Sequence, residues 1–121
     1  MLFTCKGKDK IATLIERVYF EAETVQLTLD LHSEHVTVEV GENVDFEFDD
    51  SLQYACNVTT VSTDESGLLG SCGGLLFLWT GSRIPISNYE QFTFSLAKSR
   101  QAYSEKTGGQ RYSKRIRASK L

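Results

Sequence analysis

The sequence lacks several features that define large functional classes. It has no run approaching the roughly 18 to 20 apolar residues that a membrane-spanning helix requires, so no membrane association is expected. Its first ten residues are too short and too polar for a secretory signal, which points to the cytosol. The three cysteines, Cys5, Cys56 and Cys72, are odd in number and widely spaced, so they predict no disulfide framework.

Basic residues are scarce in most of the chain and concentrated at its end. Residues 1–97 contain 5 lysines and arginines against 15 aspartates and glutamates, a net charge of −10. Residues 98–121 contain 8 against a single glutamate, a net charge of +7. This asymmetry is typical of an arm that binds a polyanion or an acidic protein surface, and a solvated solubility tail is the alternative. We therefore predict a domain over residues 1–97 and a flexible basic tail over residues 98–121.

Alternation of apolar and polar residues is abundant. In residues 25–31, for example, valine and leucine occupy every second position. A period of two places the apolar side chains on one face of a β-strand. Short turn signals separate these runs, so successive strands are expected to pair as antiparallel neighbours. The predicted strands are residues 12–20, 25–31, 36–40, 44–48, 54–61, 68–80 and 89–96.

Seven short strands without an amphipathic helix predict an all-β fold. A small closed antiparallel β-barrel is favoured because closure removes exposed strand edges, and a two-sheet sandwich is the alternative. The most apolar segment, residues 68–80, is interrupted by Gly73-Gly74. Such a pair inside a strand predicts a bulge or a sharp bend at a barrel corner. Missing side chains at Gly73 and Gly74 also permit close backbone approach, which makes this pair a candidate partner interface.

Residue patterns that carry catalysis or metal binding are weak. His32 and His35 are three residues apart, a spacing that on a strand places the two rings on opposite faces, unsuited to one metal ion. Cys72 has no histidine nearby in the sequence and is expected to be a small buried hydrophobic residue. The glycines within residues 67–74 lack the Gly-Lys-Ser/Thr ending of a phosphate loop. We therefore expect no catalytic residue, no metal, no cofactor and no small-molecule substrate.

The basic segment is the main candidate for binding. Arginine presents planar, bidentate donors that suit phosphates, and tyrosine can stack on bases. Such a segment adds nucleic-acid affinity that falls steeply with salt concentration, whereas docking on an acidic protein surface is the alternative. The candidate contact residues are Lys98, Arg100, Arg111, Tyr112, Lys114, Arg115, Arg117 and Lys120.

Two stretches resemble a known family. Residues 71–78 read Ser-Cys-Gly-Gly-Leu-Leu-Phe-Leu, and residues 15–48 follow a pattern of strand, acidic pair, aliphatic strand, β-branched strand and Gly-acid turn into an aromatic strand. In this order they resemble the small barrel subunit shared by archaeal and eukaryotic nuclear RNA polymerases, which is the eighth subunit of the nuclear enzymes and its archaeal counterpart. The resemblance covers about residues 11–98. The short Asp49-Asp50-Ser51 connection is similar to the archaeal form, and the basic tail lies outside the resemblance.

The resemblance implies a fold and a role. The fold would be a barrel of two intertwined OB-like motifs. The role would be that of a non-catalytic accessory subunit in the archaeal cytoplasm or nucleoid, docked on the largest polymerase subunit and supporting assembly and transcription, with catalysis elsewhere in the enzyme. Two other functions stay open: a free-standing OB-like protein that binds single-stranded nucleic acid, and a small enzyme or ligand carrier.

Overall fold

The computed structural model describes residues 1–99, which form eight β-strands and contain no helix. The predicted all-β class is therefore confirmed, and this part of the chain has no helix that could cross a membrane. The strands are β1 (Leu2–Ala12), β2 (Ile15–Ala22), β3 (Val25–His32), β4 (Asn43–Glu47), β5 (Tyr54–Asp64), β6 (Gly67–Cys72), β7 (Leu75–Thr80) and β8 (Gln91–Lys98).

The strands form one antiparallel sheet that closes on itself. Their order around the ring is β1, β2, β3, β7, β6, β5, β8, β4 and back to β1. The ring closes where β4 pairs with the start of β1, with Leu2 opposite Asp45. Closure gives every strand two neighbours, which limits the unpaired backbone that an open sheet exposes at its edges.

The alternating residues fill the inside of the ring with aromatic side chains. Phe46 stacks on Phe94 with ring centroids 5.5 Å apart, and Phe3 meets Phe46 edge to face. Trp79 is buried, and its indole N–H donates a hydrogen bond to the backbone carbonyl of Ser82 at 3.1 Å. On β7, Phe77 and Trp79 line the core, because only every second residue of a strand points inward.

Two connecting segments close the ends of the ring. Val38, which follows β3, and Ile84, which follows β7, are both almost completely buried. Because β3 and β7 are antiparallel neighbours, the segments that follow them lie at opposite ends of the ring. The interior is therefore a packed core rather than an open cavity.

The first strand was not predicted. In β1, Phe3 and Cys5 point inward and are buried, but the following residues alternate lysines with other polar or small residues. Their polarity concealed the strand, which pairs with β2 up to the Ala12–Ile15 turn. Beyond Thr4, β1 has no further pairing with β4, and lysine side chains are a common protection for such an edge.

The predicted strand at residues 36–40 is wrong. These residues form an irregular connection between β3 and β4, although their valines alternate. Val38 is buried, whereas Val40 is 59% exposed. The connection is held to β1 by backbone hydrogen bonds, from Cys5 N–H to the Glu42 carbonyl and from Gly41 N–H to the Cys5 carbonyl. The packing of Val36 and Val38 against the core produced the strand-like pattern, although the segment is not a strand.

Successive strands are not always neighbours, contrary to expectation. The last strand, β8, is inserted between β4 and β5 and pairs with both. The chain between β4 and β5 therefore crosses the outer side of β8. Ser95 faces outward there but is fully buried, and its hydroxyl accepts a hydrogen bond from Leu52 N–H at 3.1 Å.

The predicted single strand at residues 68–80 is two strands. Gly73 and Gly74 form the two-residue turn between β6 and β7, with Cys72 opposite Leu75. Their φ angles are +60° and +94°, a region that glycine adopts without strain. The chain therefore reverses at this pair instead of bending within one strand.

The cysteine prediction also needs correction. Cys56 on β5 and Cys72 on β6 form a disulfide bond with their Cα atoms 6.2 Å apart, a separation that suits such a bond. Cys72 is buried, as expected, but it is not a free thiol. The 16-residue separation hid the pairing because it gives no hint that β5 and β6 are neighbours. Cys5 is a buried free cysteine, and burial raises the pKa of its thiol.

Candidate interaction surfaces

The two histidines lie closer together than their spacing implied. His32 ends β3 and His35 lies in the turn that follows, where its N–H donates to the His32 carbonyl. The ring centroids are 5.0 Å apart, so the expectation of opposite faces is wrong. Within residues 1–99, no group of three or more His, Cys, Asp or Glu side chains is arranged to hold a metal ion.

Several of the candidate residues lie at one end of the ring, which we call the Lys98 end. Strands β3, β6 and β8 run in the same direction around the closed sheet, so they finish at the same end. This end carries His32 with His35, the Gly73-Gly74 turn and Lys98. The candidate partner interface and the start of the basic segment therefore lie at the same end of the molecule.

Lys98 is engaged with an acidic residue. It is the last residue of β8, and its Nζ lies 3.4 Å from Glu42 Oε1. The Glu42 carboxylate also accepts the Glu39 N–H at 2.9 Å. The backbone hydrogen bond from Glu39, together with the charge of Lys98, holds the pKa of Glu42 below its ordinary value of 4.5. Lys98 thus joins β8 to the segment before β4, in addition to any external contact.

The Gly73-Gly74 turn is exposed and unobstructed. A Cβ atom built at either glycine would meet nothing within 4 Å. The Gly74 N–H donates to the Ser71 hydroxyl at 3.0 Å, which holds the turn in place. A partner could reach this backbone, but no neighbouring element of residues 1–99 requires glycine here for close approach.

The remaining basic candidates lie outside the described residues. This holds for Arg100, Arg111, Tyr112, Lys114, Arg115, Arg117 and Lys120. Their predicted contacts with nucleic acid or with an acidic partner stay predictions.

An ion pair on the outer side of the ring, with a buried carboxylate, was missed by the sequence analysis. Arg17 on β2 donates from Nε and Nη2 to Asp30 on β3, at 2.7 and 3.0 Å. Asp30 is 7% exposed and also accepts the Leu76 N–H at 3.1 Å. The regular pairing of β3 with β7 ends one residue earlier, at Leu29 and Phe77. The Asp30 side chain therefore adds a hydrogen bond between β3 and β7 beyond the end of their backbone ladder.

Charge is distributed unequally around the ring. Four contiguous strands, β4, β1, β2 and β3, form what we call the charged half, and β7, β6, β5 and β8 form the uncharged half. In the uncharged half the charged residues are Asp64 and Lys98, each the last residue of its strand. The strands of the charged half contain ten: Lys6, Lys8, Asp9, Lys10, Glu16, Arg17, Glu21, Asp30, Asp45 and Glu47.

No protein-family model matches this chain, and no curated protein sequence matches it significantly.

Proposed function

We propose that this protein is a non-catalytic accessory subunit of a multisubunit DNA-dependent RNA polymerase, docked on the largest subunit. The carrying observation is that the two stretches with family resemblance are parts of one closed, filled ring. Residues 15–48 span β2, β3 and β4, and residues 71–78 span the β6–β7 turn. Such a ring, in the class of OB-like barrels, offers surfaces to partners instead of a reaction chamber.

The surroundings of the titratable groups support a non-catalytic role. Candidate catalytic groups usually combine a cleft, a strongly shifted pKa and a nearby partner group. The buried carboxylate of residues 1–99, Asp30, accepts hydrogen bonds from Arg17 and from the Leu76 N–H. These bonds give Asp30 a structural role in joining strands. The buried thiol of Cys5 has a raised pKa, which opposes a nucleophilic role.

A free-standing single-stranded nucleic-acid binder is the weaker proposal. Binding of this kind combines a positive groove with stacking aromatic side chains. In the uncharged half the cation is Lys98, which lies beside Glu42. In the charged half the cations are interspersed with carboxylates, and Lys8 and Arg17 are paired with Glu39 and Asp30, so the strands form no positive groove. Any nucleic-acid contact is therefore assigned to the basic segment, as an addition to docking on the polymerase.

The proposed location is the cytoplasm, where disulfides are rare. In that compartment Cys56 and Cys72 are expected as thiols, with β5 and β6 still joined by their backbone ladder from Thr59–Ser71 to Asp64–Gly67. Rapid alkylation of thiols in lysed cells, followed by mass spectrometry, measures whether Cys56 and Cys72 are reduced or joined by a disulfide. A fully oxidised pair in cells would contradict the cytoplasmic location.

The test of the function is affinity purification of the tagged protein from its native cells, with mass spectrometry of the chains that co-purify. We expect the largest polymerase subunit in stoichiometric amounts. The control is a tagged unfolded variant, since a real docking surface requires the closed ring. Recovery of no large polymerase subunit would overturn the proposal.

A further inference from the structure

The outer side of the uncharged half has the composition of a protein-binding surface. We propose that the outward side chains of β7, β6, β5 and the first half of β8, here called the uncharged face, dock on an uncharged surface of the largest polymerase subunit. This inference rests on the proposed function and adds the surface and the chemistry of contact.

The register of the strands defines the face. Leu69 on β6 lies opposite Leu78 on β7, and Asn57 on β5 lies opposite Thr93 on β8. Their inward neighbours, such as Val58 and Phe77, are buried, so these residues point outward.

A bulge in β5 enlarges the apolar part of this face. The register shifts between Thr60 and Ser62, and the extra residue, Val61, is 66% exposed. This is the largest exposure among the large hydrophobic residues that the structure describes. Bulges re-aim side chains, and here the effect is to present a β-branched aliphatic group beside partly exposed leucines.

The polar groups of the face are partly paired with each other. The Thr93 hydroxyl donates to Asn57 Oδ1 at 2.7 Å. Burying a polar group costs free energy unless it keeps a hydrogen bond, so a pre-formed pair lowers the cost of covering this face. No ionised side chain between the strand ends would have to lose its water.

The dimensions and borders match those of an interface centre. Four strands about 4.8 Å apart and about 20 Å long project an area of about 400 Å². A standard interface buries about 800 Å² on each partner, with a charge-depleted centre and a polar rim. Charged residues border the face at Asp64 on the end of β5, at Glu90 directly before β8, and at Asp49 and Asp50 in the connection that crosses β8.

The lack of charge on the uncharged face indicates what kind of partner binds there. Nucleic acid binds through phosphates and needs cations, which this face lacks between its ends. The basic segment of the chain itself would be attracted to carboxylates, which this face also lacks between its strand ends. A folded protein surface of aliphatic, hydroxyl and amide groups gains from contact here, because neither side has to desolvate a charge.

The experiment places one charge on the face of the full-length protein. Thr59 is exposed on β5, opposite Gln91, and is replaced in Thr59→Glu. Thr59→Gln is the size-matched control, and Lys6→Gln makes the same change of net charge on the charged half. Each tagged variant is expressed in native cells, its melting temperature is recorded, and the recovered largest subunit is quantified at low and at high salt.

We expect Thr59→Glu to reduce recovery of the largest subunit by about tenfold or more, because a buried unpaired charge is costly. Thr59→Gln and Lys6→Gln should bind as the wild type does, and high salt should not release the subunit. If the wild type recovers the subunit and Thr59→Glu does so equally, the inference falls while the proposed function stands. Salt-sensitive capture, or loss in Lys6→Gln, would also overturn it.

A separate measurement tests whether a second copy of the chain binds to the uncharged face. The purified wild type should sediment as a monomer at micromolar concentration. A dimer that Thr59→Glu dissociates would mean that the face binds another copy, and this would overturn the inference. If the wild type recovers no polymerase subunit at all, the proposed function and the inference fall together.

Discussion

The charged and uncharged halves of the ring reach the same fold by different means. The charged half carries charged contacts on its outer side, such as the ion pair of Arg17 with Asp30 and the hydrogen bond from the Tyr19 hydroxyl to Asp9. The uncharged half has a disulfide bond and two glycines, Gly67 and Gly70, at which any side chain would collide with neighbouring atoms. Ion pairs place charged groups on the outer side, whereas close backbone packing at these glycines, with Cys56 and Cys72 either joined or reduced, places none there.

The halves meet at two seams, between β3 and β7 and between β8 and β4, and each seam has a carboxylate contact in addition to its backbone ladder. At one seam Asp30 accepts the Leu76 N–H of β7. At the other Glu42 lies 3.4 Å from Lys98 Nζ at the end of β8. Substitutions within one half and substitutions at a seam therefore measure different contributions to stability.

The largest expected effect is loss of the disulfide in the uncharged half. Reduction of the Cys56–Cys72 bond should lower the free energy of unfolding by about 3 kcal/mol, the value for a closed loop of about 15 residues. Urea unfolding with and without reductant measures this. The control is the double variant Cys56→Ser, Cys72→Ser, whose midpoint should not respond to reductant. An unchanged midpoint in the wild type would contradict the prediction.

The second test compares one glycine in each half. Gly70→Ala places a Cβ 2.4 Å from Val58 Cγ1, so it should destabilise by about 2 to 3 kcal/mol. Gly7→Ala meets only Tyr19 Cδ2 at 3.7 Å and should change stability by less than about 1 kcal/mol. Thermal and urea unfolding of both variants provide the comparison. Equal losses would show that the halves do not differ in closeness of packing.

The third test addresses the β3–β7 seam. Asp30→Ala leaves Arg17 and the Leu76 N–H without their acceptor and should cost about 1 to 2 kcal/mol. Asp30→Asn keeps an acceptor for the N–H and should cost less. Urea unfolding measures the loss, and amide hydrogen exchange at Leu76 reports the local bond. Unchanged exchange in Asp30→Ala would argue that the backbone ladder alone holds this seam.

The smallest effect concerns pH at the second seam. The pKa of Glu42 is lowered in the folded protein, so its charged form stabilises the fold above pH 4.5. This contribution is lost as the pH falls through the lowered folded-state pKa. Glu42→Gln should therefore be less stable than the wild type at pH 7, by less than about 1 kcal/mol, and the difference should shrink on acidification. A difference that stays constant down to pH 3 would contradict this assignment.

The sequence by itself determined the class of structure and which side chains fill it. Alternation over residues 25–31 and 44–48 predicted two real strands, and their inward residues, among them Leu29 and Phe46, are buried. Alternation is a local property that reports burial. It failed where burial occurs without pairing, as at Val38, and where a strand carries lysines, as in β1.

Only the tertiary structure decided which strands are neighbours. The insertion of β8 between β4 and β5, the contact of Cys56 with Cys72 and the gathering of uncharged strands into one half all depend on pairing between distant segments. Period-two patterns are the same for any partner strand, so they carry no information about the partner. Closure of the ring selects the pairing, because each strand must satisfy the backbone hydrogen bonds of both neighbours at once.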